Sequence, residues 1–325
     1  MTGGHNAARF PCPWLMLASM LSLLSSGCAG LPMPNLKTPL PEHWRNTAAI
    51  PAAAKPDLHG WWHRLHDSTL DSLVDIALNH NLDVAVATER LRAVRALNRT
   101  RDAPFGPSLS VRTDDPIDPD ASASFFVVGF DSTWELGLFG RQQGHVRQVR
   151  AQLDDAAADL RQTRVSLVAE VVRNWIELRA AQQRVNLLSH VHALHQRSWK
   201  LLKVREQLRL ASPLQVMQAQ AASAAAAAAA SEPGQEADAA AQRLALLLGR
   251  AEPDPAWLQT GPLPGLGKSA LTAVPADLLR TRPEIARAQA AVLGSAGDLD
   301  IARADRFPRI GLGGSLDWST STLSH

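Results

Sequence analysis

Apolar residues recur at helical spacing over most of this sequence, and proline and glycine mark where helices should end. From Ser68 the apolar positions lie three and four residues apart, which predicts a helix broken at 79–81 and a second helix to about Asp102. Between Arg141 and Pro213 there is no proline and the only glycine is Gly144. This stretch predicts roughly 70 residues of helix, about 105 Å long, with the three-four alternation of a coiled coil.

A shorter helix is predicted to return from Pro213 toward Gly249. It contains the alanine run 224–230, which favours helix but buries little apolar area, so its packing should be weak. Because Pro233 and Gly234 interrupt the helical sequence, we expect a kink or break over 231–234.

Three segments alternate apolar and polar residues with a period of two, which predicts strands with one apolar face. They span 108–114, 124–136 and 309–319. In a membrane barrel the apolar face would contact lipid, whereas in a soluble sandwich it would form the core, and the alternation alone leaves both open. The apolar positions are Leu109, Val111, Phe126, Val128, Phe130, Trp134, Ile310, Leu312, Leu316 and Trp318.

The last helix and strand repeat an earlier part of the sequence. Asp83 aligns with Glu284 and Pro107 with Pro308, and the helix length and strand register agree without a gap. A one-residue slip would exchange the two strand faces, so the shared register favours a true internal duplication. A complete second copy would add a fourth strand and a second long helix. We therefore expect a C-terminally truncated chain whose second structural repeat is incomplete.

The N-terminus has the features of an export signal. The apolar run 14–24 is roughly 11 residues long, too short for a membrane-spanning helix, and suits a signal peptide over 1–27. Small residues before Cys28 resemble the cleavage box of bacterial lipoproteins, in which this cysteine is lipidated, although Ser25 stands where such boxes favour leucine. An ordinary signal peptide with a chance cysteine is the alternative. The prolines of 28–67 predict an extended tether.

Composition excludes several classes of protein. Of 325 residues, 33 are basic and 31 acidic, and the net charge of +2 gives no electrostatic argument for nucleic acid. Two cysteines exclude a disulfide-stapled scaffold and a four-cysteine zinc site. The helically spaced histidines at 59–66 and 190–195 are expected to be solvated rather than metal ligands. No serine-hydrolase, zinc-protease or phosphate-loop motif occurs, so we expect no enzyme, cofactor or metal.

An ordered set of motifs resembles the TolC/NodT-type outer membrane efflux proteins, in particular the lipoprotein branch that works with resistance-nodulation-division pumps. The resemblance covers about 41–320. The motifs lie at 81–83, 134–141, 168–175, 211–213, 218–220, 244–249, 275–285 and 307–308. The resemblance implies a mainly α chain with β: a long α-helical coiled-coil periplasmic tunnel plus strands of a trimeric transmembrane β-barrel. Residues 68–250 would form the first repeat, with a β-hairpin at 107–136, a long helix at 139–210 and a return helix at 213–249. Residues 251–325 would be a linker and the start of the second repeat.

The resemblance also implies function and partners. It predicts a passive outer membrane channel subunit for drugs or other small molecules, lipid-anchored with a periplasmic extension and impaired by truncation. The partners would be two further copies in a homotrimer, a periplasmic adaptor of the membrane fusion class, an inner membrane resistance-nodulation-division pump and outer membrane lipid. The ten apolar strand residues would face lipid, with Trp134 and Trp318 at the membrane interfaces. The adaptor-docking tip would comprise Arg209, Leu210, Ala211, Ser212 and Pro213, where Arg209 replaces the usual glycine. The alternative is a soluble periplasmic coiled-coil adaptor or scaffold.

Overall fold

The structure is a computed structural model, and it describes residue 36 and residues 60–114, 123–265 and 282–323. At 113–114, 123–127 and 319–323 it describes the backbone alone. The chain divides into two compact units, one containing 91–158 and 284–323 and the other 60–90 and 159–283. The predicted signal peptide and Cys28 lie outside the described residues, as does most of the 28–67 tether.

The described part of the chain is mainly helical with few strands, and the predicted fold class, mainly α with β, is confirmed. The helices are α1 (Ser68–His80), α2 (Leu82–Arg99), α3 (Arg141–Gln207), α4 (Pro213–Ala229), α5 (Ser231–Leu247), α6 (Pro255–Leu258) and α7 (Pro283–Ala304). The strands are β1 (Ser108–Asp114), β2 (Ala123–Glu135) and β3 (Gly311–Leu323). Short 3-10 helices lie at Trp61–Leu65 and Ala103–Phe105.

The long helix α3 contains 67 residues and contributes to both units. The return helix is divided into α4 and α5 at Ala230, one residue before the segment where we expected the break. Pro233 lies within the first turn of α5, where backbone N–H groups have no acceptor inside the helix, so proline is tolerated there. Helix α4 therefore ends before Pro233, and the proline lies at the beginning of the next helix, α5.

The three strands form one antiparallel sheet in the order β1-β2-β3, within the first unit. Leu109 pairs with Ser132, and Val111, Phe130 and Leu316 share one row across the sheet. Within the described residues, β1 and β3 each pair on one side only.

In the same unit, α3 and α7 approach each other at two glycines. A Cβ atom on Gly144 would lie 2.8 Å from the Gly297 carbonyl oxygen, and one on Gly297 would lie 2.7 Å from the Gly144 carbonyl oxygen. Arg147 pairs with Asp300 beside these glycines, and Arg141 pairs with Asp305. Small residues thus permit backbone contact, and charged pairs flank it.

The core of the second unit is formed by α1, the middle of α3 and α5. Its fully buried side chains include Leu70, Trp175, Leu178 and Leu244. The Asp67 carboxylate accepts hydrogen bonds from the Thr69 and Leu70 N–H groups through Oδ1 and from the Trp175 indole N–H, at 2.7 Å, through Oδ2. One carboxylate therefore both begins α1 and fixes it to α3.

Polar contacts hold α3 antiparallel to α4 and α5. The His192 ring contacts the Ser223 carbonyl oxygen at 3.1 Å, Arg184 pairs with Glu236 at 2.7 Å, and the Arg243 Nε donates to the Asn174 amide oxygen at 2.7 Å. As the residue number falls along α3, the partner's number rises, as expected of a helical hairpin.

Candidate functional site

The ten predicted lipid-facing residues lie on one face of the sheet. Cross-strand partners in an antiparallel sheet share a face, and Val128 pairs with Trp318 while Trp134 pairs with Leu312. Ile310 directly precedes β3 and continues its alternation, and its carbonyl oxygen accepts the Leu136 N–H at 3.2 Å. Phe126 pairs with Thr320 through the backbone, and its side chain lies outside the described residues.

This apolar face is uncovered by the described part of the chain. The exposed fraction ranges from 40% for Trp134 to 78% for Trp318, and only Val128 among the described side chains is half-buried. The Trp134 indole N–H donates to the Phe105 carbonyl oxygen at 2.8 Å, so the polar edge of this ring is satisfied. An apolar surface of this extent marks contact with lipid or with another protein.

The opposite face of the sheet carries charge. Arg112, Gly129 and Asp317 occupy one row, and the Arg112 Nη2 lies 3.4 Å from the Asp317 Oδ1. The Arg112 Nε lies 3.8 Å from the Asp131 carboxylate. The period of two places these side chains on the face opposite the apolar residues, but the row that joins them depends on pairing between distant strands, which the sequence pattern does not show.

The predicted docking tip forms a tight turn between α3 and α4. Arg209 has a left-handed backbone with φ of 62°. Its N–H donates to the Glu206 carbonyl oxygen at 2.8 Å, and the Leu210 N–H donates to the Arg205 carbonyl oxygen at 2.7 Å, the two hydrogen bonds of a Schellman motif. Arg209 thus occupies the position that favours glycine.

A reciprocal cap then begins α4. The Ser212 hydroxyl accepts the Gln215 N–H at 3.3 Å, and the Gln215 amide oxygen accepts the Ser212 N–H at 2.9 Å. Pro213 opens the helix, and Ala211 is half-buried. The structure therefore brings all five predicted tip residues together, and all but Ala211 are exposed.

A buried polar cluster lies in the second unit. Arg179 is 8% exposed and stacks on Trp175, with its guanidinium carbon 4.1 Å from the ring centroid. It donates to the Gln259 carbonyl oxygen at 2.6 Å and to Gln182, which itself donates to the Trp257 carbonyl oxygen at 2.8 Å. Burial lowers the pKa of Arg179, and the Asp67 carboxylate acts in the opposite direction. The cluster fastens the chain after α5 to α3, a role that sequence analysis did not detect.

No metal cluster occurs in the described part of the chain, where no three His, Cys, Asp or Glu side chains gather in a suitable arrangement. His63 instead contacts Asp71 at 2.7 Å, and His192 contacts Gln196 at 2.9 Å. None of the helices described there is both long enough and apolar enough to cross a membrane.

Comparison with known proteins decides the family. The family model described as "Outer membrane efflux protein" matches residues 73–250, more than half of the chain. The chain belongs to this family. The resemblance drawn from the sequence motifs is thereby confirmed, and so is the predicted location in the outer membrane.

Two relatives are 27–28% identical to this chain over the aligned residues. It is 28% identical to the pyoverdine export outer membrane protein OpmQ of Pseudomonas aeruginosa, over 90% of this chain and 65% of OpmQ. It is 27% identical to nodulation protein T of Rhizobium leguminosarum bv. viciae, over 93% of this chain and 64% of that protein. The chain therefore spans slightly less than two thirds of the length of either relative.

A solved structure shows the same fold. The outer-membrane channel OprN matches with a TM-score of 0.77 and 29% sequence identity, covering 90% of this chain and 72% of OprN. The sheet and the α3–α4 hairpin thus belong to a chain with the fold of an outer membrane channel.

Proposed function

We propose that this chain is a channel subunit of an outer membrane efflux system, a passive conduit through which drugs or other small molecules leave the cell. The observation that carries this proposal is the two-faced sheet, which places its apolar residues on one side and Arg112, Asp131 and Asp317 on the other. Family membership and the likeness to OprN support it.

In this proposal the apolar face contacts lipid and the charged face lines a water-filled lumen. An arginine on the lipid face of a membrane strand costs about 2–4 kcal/mol at the bilayer midplane, so Arg112 must face water. Trp134 and Trp318 are amphipathic side chains suited to the membrane interfaces. The chain performs no chemistry of its own in this assignment, and the energy for export comes from a partner pump.

The partners follow from the same proposal. The channel is a homotrimer, and the exposed turn at 209–213 docks a periplasmic adaptor that connects it to an inner membrane resistance-nodulation-division pump. Lipidation of Cys28 anchors the chain to the outer membrane. Each anchoring CH₂ contributes about 0.8 kcal/mol, so several acyl chains give durable attachment. Loss of palmitate labelling in Cys28→Ala tests the anchor, and unchanged labelling excludes it.

Neighbouring residues of β3 test the assignment of the two faces. Leu316→Arg places a charge on the lipid face, whereas Ser315→Arg places the same charge on the lumen face, beside Asp131. In the Cys28→Ala background, which removes the lipid anchor, we expect Leu316→Arg to reduce the carbonate-resistant protein in outer membrane fractions several-fold and Ser315→Arg to leave it unchanged. A soluble adaptor or scaffold would be released by carbonate in every variant.

Transport is tested in a host whose own channel gene is deleted but whose pump and adaptor remain. We expect membrane-inserted protein to lower the accumulation of a fluorescent dye relative to an empty vector. Dye accumulation that stays unchanged although the protein resists carbonate extraction contradicts the channel function.

A further inference from the structure

The two segments in which a helix leads into a strand are strongly basic. Residues 90–107, from the second half of α2 to the start of β1, carry five arginines and one aspartate, a net charge of +4. Residues 303–310, from the end of α7 to the start of β3, carry three arginines and one aspartate, a net charge of +2. We call these two segments the basic junctions. Because the entire chain has a net charge of only +2, the six net positive charges of the junctions leave −4 for the remainder.

Most of these arginines take no part in holding the fold together. Five of the eight are exposed and form no ion pair with a residue that the structure describes: Arg90, Arg95, Arg99, Arg303 and Arg306. The helix dipole favours a cation in the last turn of a helix, which accounts for Arg99 but not for Arg95, one turn earlier. Like charges four residues apart on a helix repel each other, so this pair favours an anion beside α2.

The first basic junction adjoins the apolar face of the sheet. The Trp134 indole N–H on that face donates to the Phe105 carbonyl oxygen at 2.8 Å. The Phe105 N–H donates to the Asp102 carbonyl oxygen at 3.1 Å, and the Ala103 N–H donates to the Thr100 carbonyl oxygen at 2.9 Å. Two tight turns therefore connect the end of α2 to a residue of the apolar face. Strands that complete a barrel leave this face on the outside, where it contacts lipid.

The charge is confined to one end of the strands. The second basic junction ends at Ile310, a residue of the same apolar face, so both junctions lie where a helix meets the sheet. The sequence that leads from β1 to β2 has the opposite charge, because residues 114–120 contain four aspartates and no basic residue. The arginines therefore do not belong to a uniformly basic surface around the sheet.

We propose that the basic junctions bind the headgroups of anionic phospholipids, with the phosphate held by arginine and the acyl chains against the apolar face. Guanidinium groups bind phosphate oxygens through paired N–H donors. An anionic lipid supplies both a negative charge and hydrocarbon, which match the two neighbouring surfaces, whereas a soluble anion matches only the basic one. This inference rests on the proposed function and adds the class of lipid that contacts the helical end of the strands.

The probes are anionic phosphatidylglycerol and zwitterionic phosphatidylcholine, which carry the same acyl chains and the same fluorescent acyl label. Binding to the full chain in an uncharged detergent is measured by fluorescence anisotropy. Each arginine near an anionic lipid surface contributes about fivefold in affinity. We expect phosphatidylglycerol to bind at least about tenfold more tightly than phosphatidylcholine. The difference should shrink as salt rises from about 100 mM to about 500 mM.

Paired substitutions identify the residues. Arg95→Gln with Arg99→Gln should lower the affinity for phosphatidylglycerol by about tenfold or more and leave that for phosphatidylcholine unchanged. Arg95→Lys with Arg99→Lys keeps both charges and should keep the preference. Arg161→Gln with Arg164→Gln is the matched control, because it removes two exposed arginines that lie about 30 Å or more along α3 from its first residue. Circular dichroism and gel filtration check the helix content and the oligomeric state.

Four results would each overturn the proposal. The first is equal affinity for the two lipids, and the second is an equal loss in the Arg161 and Arg164 control. The third is displacement of labelled phosphatidylglycerol by glycerol 3-phosphate as readily as by unlabelled lipid, which would identify a soluble phosphate as the ligand. The fourth is a changed oligomeric state in the Arg95 and Arg99 variant with an unchanged lipid preference, which would assign these arginines to contacts between copies of the chain.

The carbonate extraction described above separates this inference from the proposed function. Carbonate-resistant protein without a preference for phosphatidylglycerol would overturn the headgroup site alone. In the Cys28→Ala background, a protein that prefers phosphatidylglycerol but is released by carbonate would support the headgroup site and contradict the membrane-inserted sheet.

Discussion

Arg112 and Asp317 lie on the two outer strands of the sheet, and their side chains meet above Gly129 of the middle strand. The Arg112 Nη2 lies 3.4 Å from the Asp317 Oδ1, and a Cβ atom on Gly129 would lie 2.1 Å from the same carboxylate oxygen. The absence of a side chain at Gly129 therefore allows charges two strands apart to form an ion pair.

Gly129→Ala should displace the Asp317 carboxylate and break this ion pair. Between half-exposed side chains such a pair contributes roughly 0.2–1 kcal/mol. We expect Asp317→Asn to destabilise the parent protein by that amount and to have almost no effect in the Gly129→Ala background. A double-mutant cycle of urea unfolding measures the coupling. Gly314→Ala is the control, because a Cβ there contacts nothing within 4 Å and should leave the Asp317→Asn effect intact.

The contact between α3 and α7 should not tolerate a methyl group. In Gly297→Ala the new Cβ would meet the Gly144 carbonyl oxygen at 2.7 Å, and backbone atoms cannot easily move aside. Overpacking of this kind costs about 1–3 kcal/mol. We expect a lower free energy of unfolding, measured by urea denaturation followed by circular dichroism.

Gly294→Ala is the matched control on the same helix. Its Cβ would lie 3.5 Å from the Ala151 Cβ, an ordinary contact. Alanine has the higher helix propensity by roughly 0.8–1 kcal/mol, so this variant should be neutral or more stable. Equal destabilisation by both substitutions would contradict the close approach at Gly144 and Gly297.

Removal of the Asp67 side chain should destabilise the protein by more than the loss of an ordinary helix cap does. Asp67→Ala loses the cap of α1, about 1 kcal/mol, and leaves the buried Trp175 indole N–H without its acceptor, a further cost of about 1–3 kcal/mol. In a Trp175→Phe background the second cost disappears, so Asp67→Ala should destabilise the protein by about 1 kcal/mol only. An equal effect in both backgrounds would contradict a shared role for the carboxylate.

Asp305 should make stability depend on pH in the acid range. Hydrogen bonds from Arg141 and Arg309 lower the pKa of Asp305. A carboxylate whose pKa is lower in the folded than in the unfolded protein stabilises the fold above its unfolded pKa of about 3.9, and this stabilisation is lost as pH falls through the lower folded value. Asp305→Asn should therefore be less stable than the parent at pH 7, and the difference should shrink below about pH 4.

Arg209→Gly should stabilise the hairpin turn. Arg209 holds a left-handed backbone, which costs a residue with a Cβ about 1–2 kcal/mol and glycine little. Arg209→Ala removes the same charge but keeps the Cβ, so it separates backbone strain from charge. We expect a higher thermal midpoint for Arg209→Gly and little change for Arg209→Ala; equal midpoints would contradict the strain.

The features that sequence analysis predicted well depend on neighbouring residues. A period of two assigns Val111, Phe130 and Leu316 to one face whichever strand they pair with, and the lack of proline after Arg141 predicts a long helix directly. At the hairpin turn the family resemblance implied a glycine where this chain has Arg209 and left the backbone geometry open, and Arg209 has a left-handed backbone.

What sequence analysis missed depends on distant residues. Asp67 and Trp175 are 108 positions apart, and Arg112 and Asp317 are 205 apart. Gly144 is recognisable in the sequence as the only glycine of the long helix. The reason for a glycine there, the close approach of the Gly297 backbone, involves another helix. To predict contacts of this kind, one must know how two elements are aligned with each other. The periodicity within a single element does not contain that information.

The sheet's two outer edges constrain how the protein reaches its membrane. Backbone N–H and C=O groups along the free sides of β1 and β3 have no strand partner in the described chain. Each such group left without a hydrogen bond in hydrocarbon costs several kcal/mol. A three-stranded sheet with both edges unpaired is therefore unstable inside the bilayer. Stable insertion therefore requires these two edges to pair with further strands.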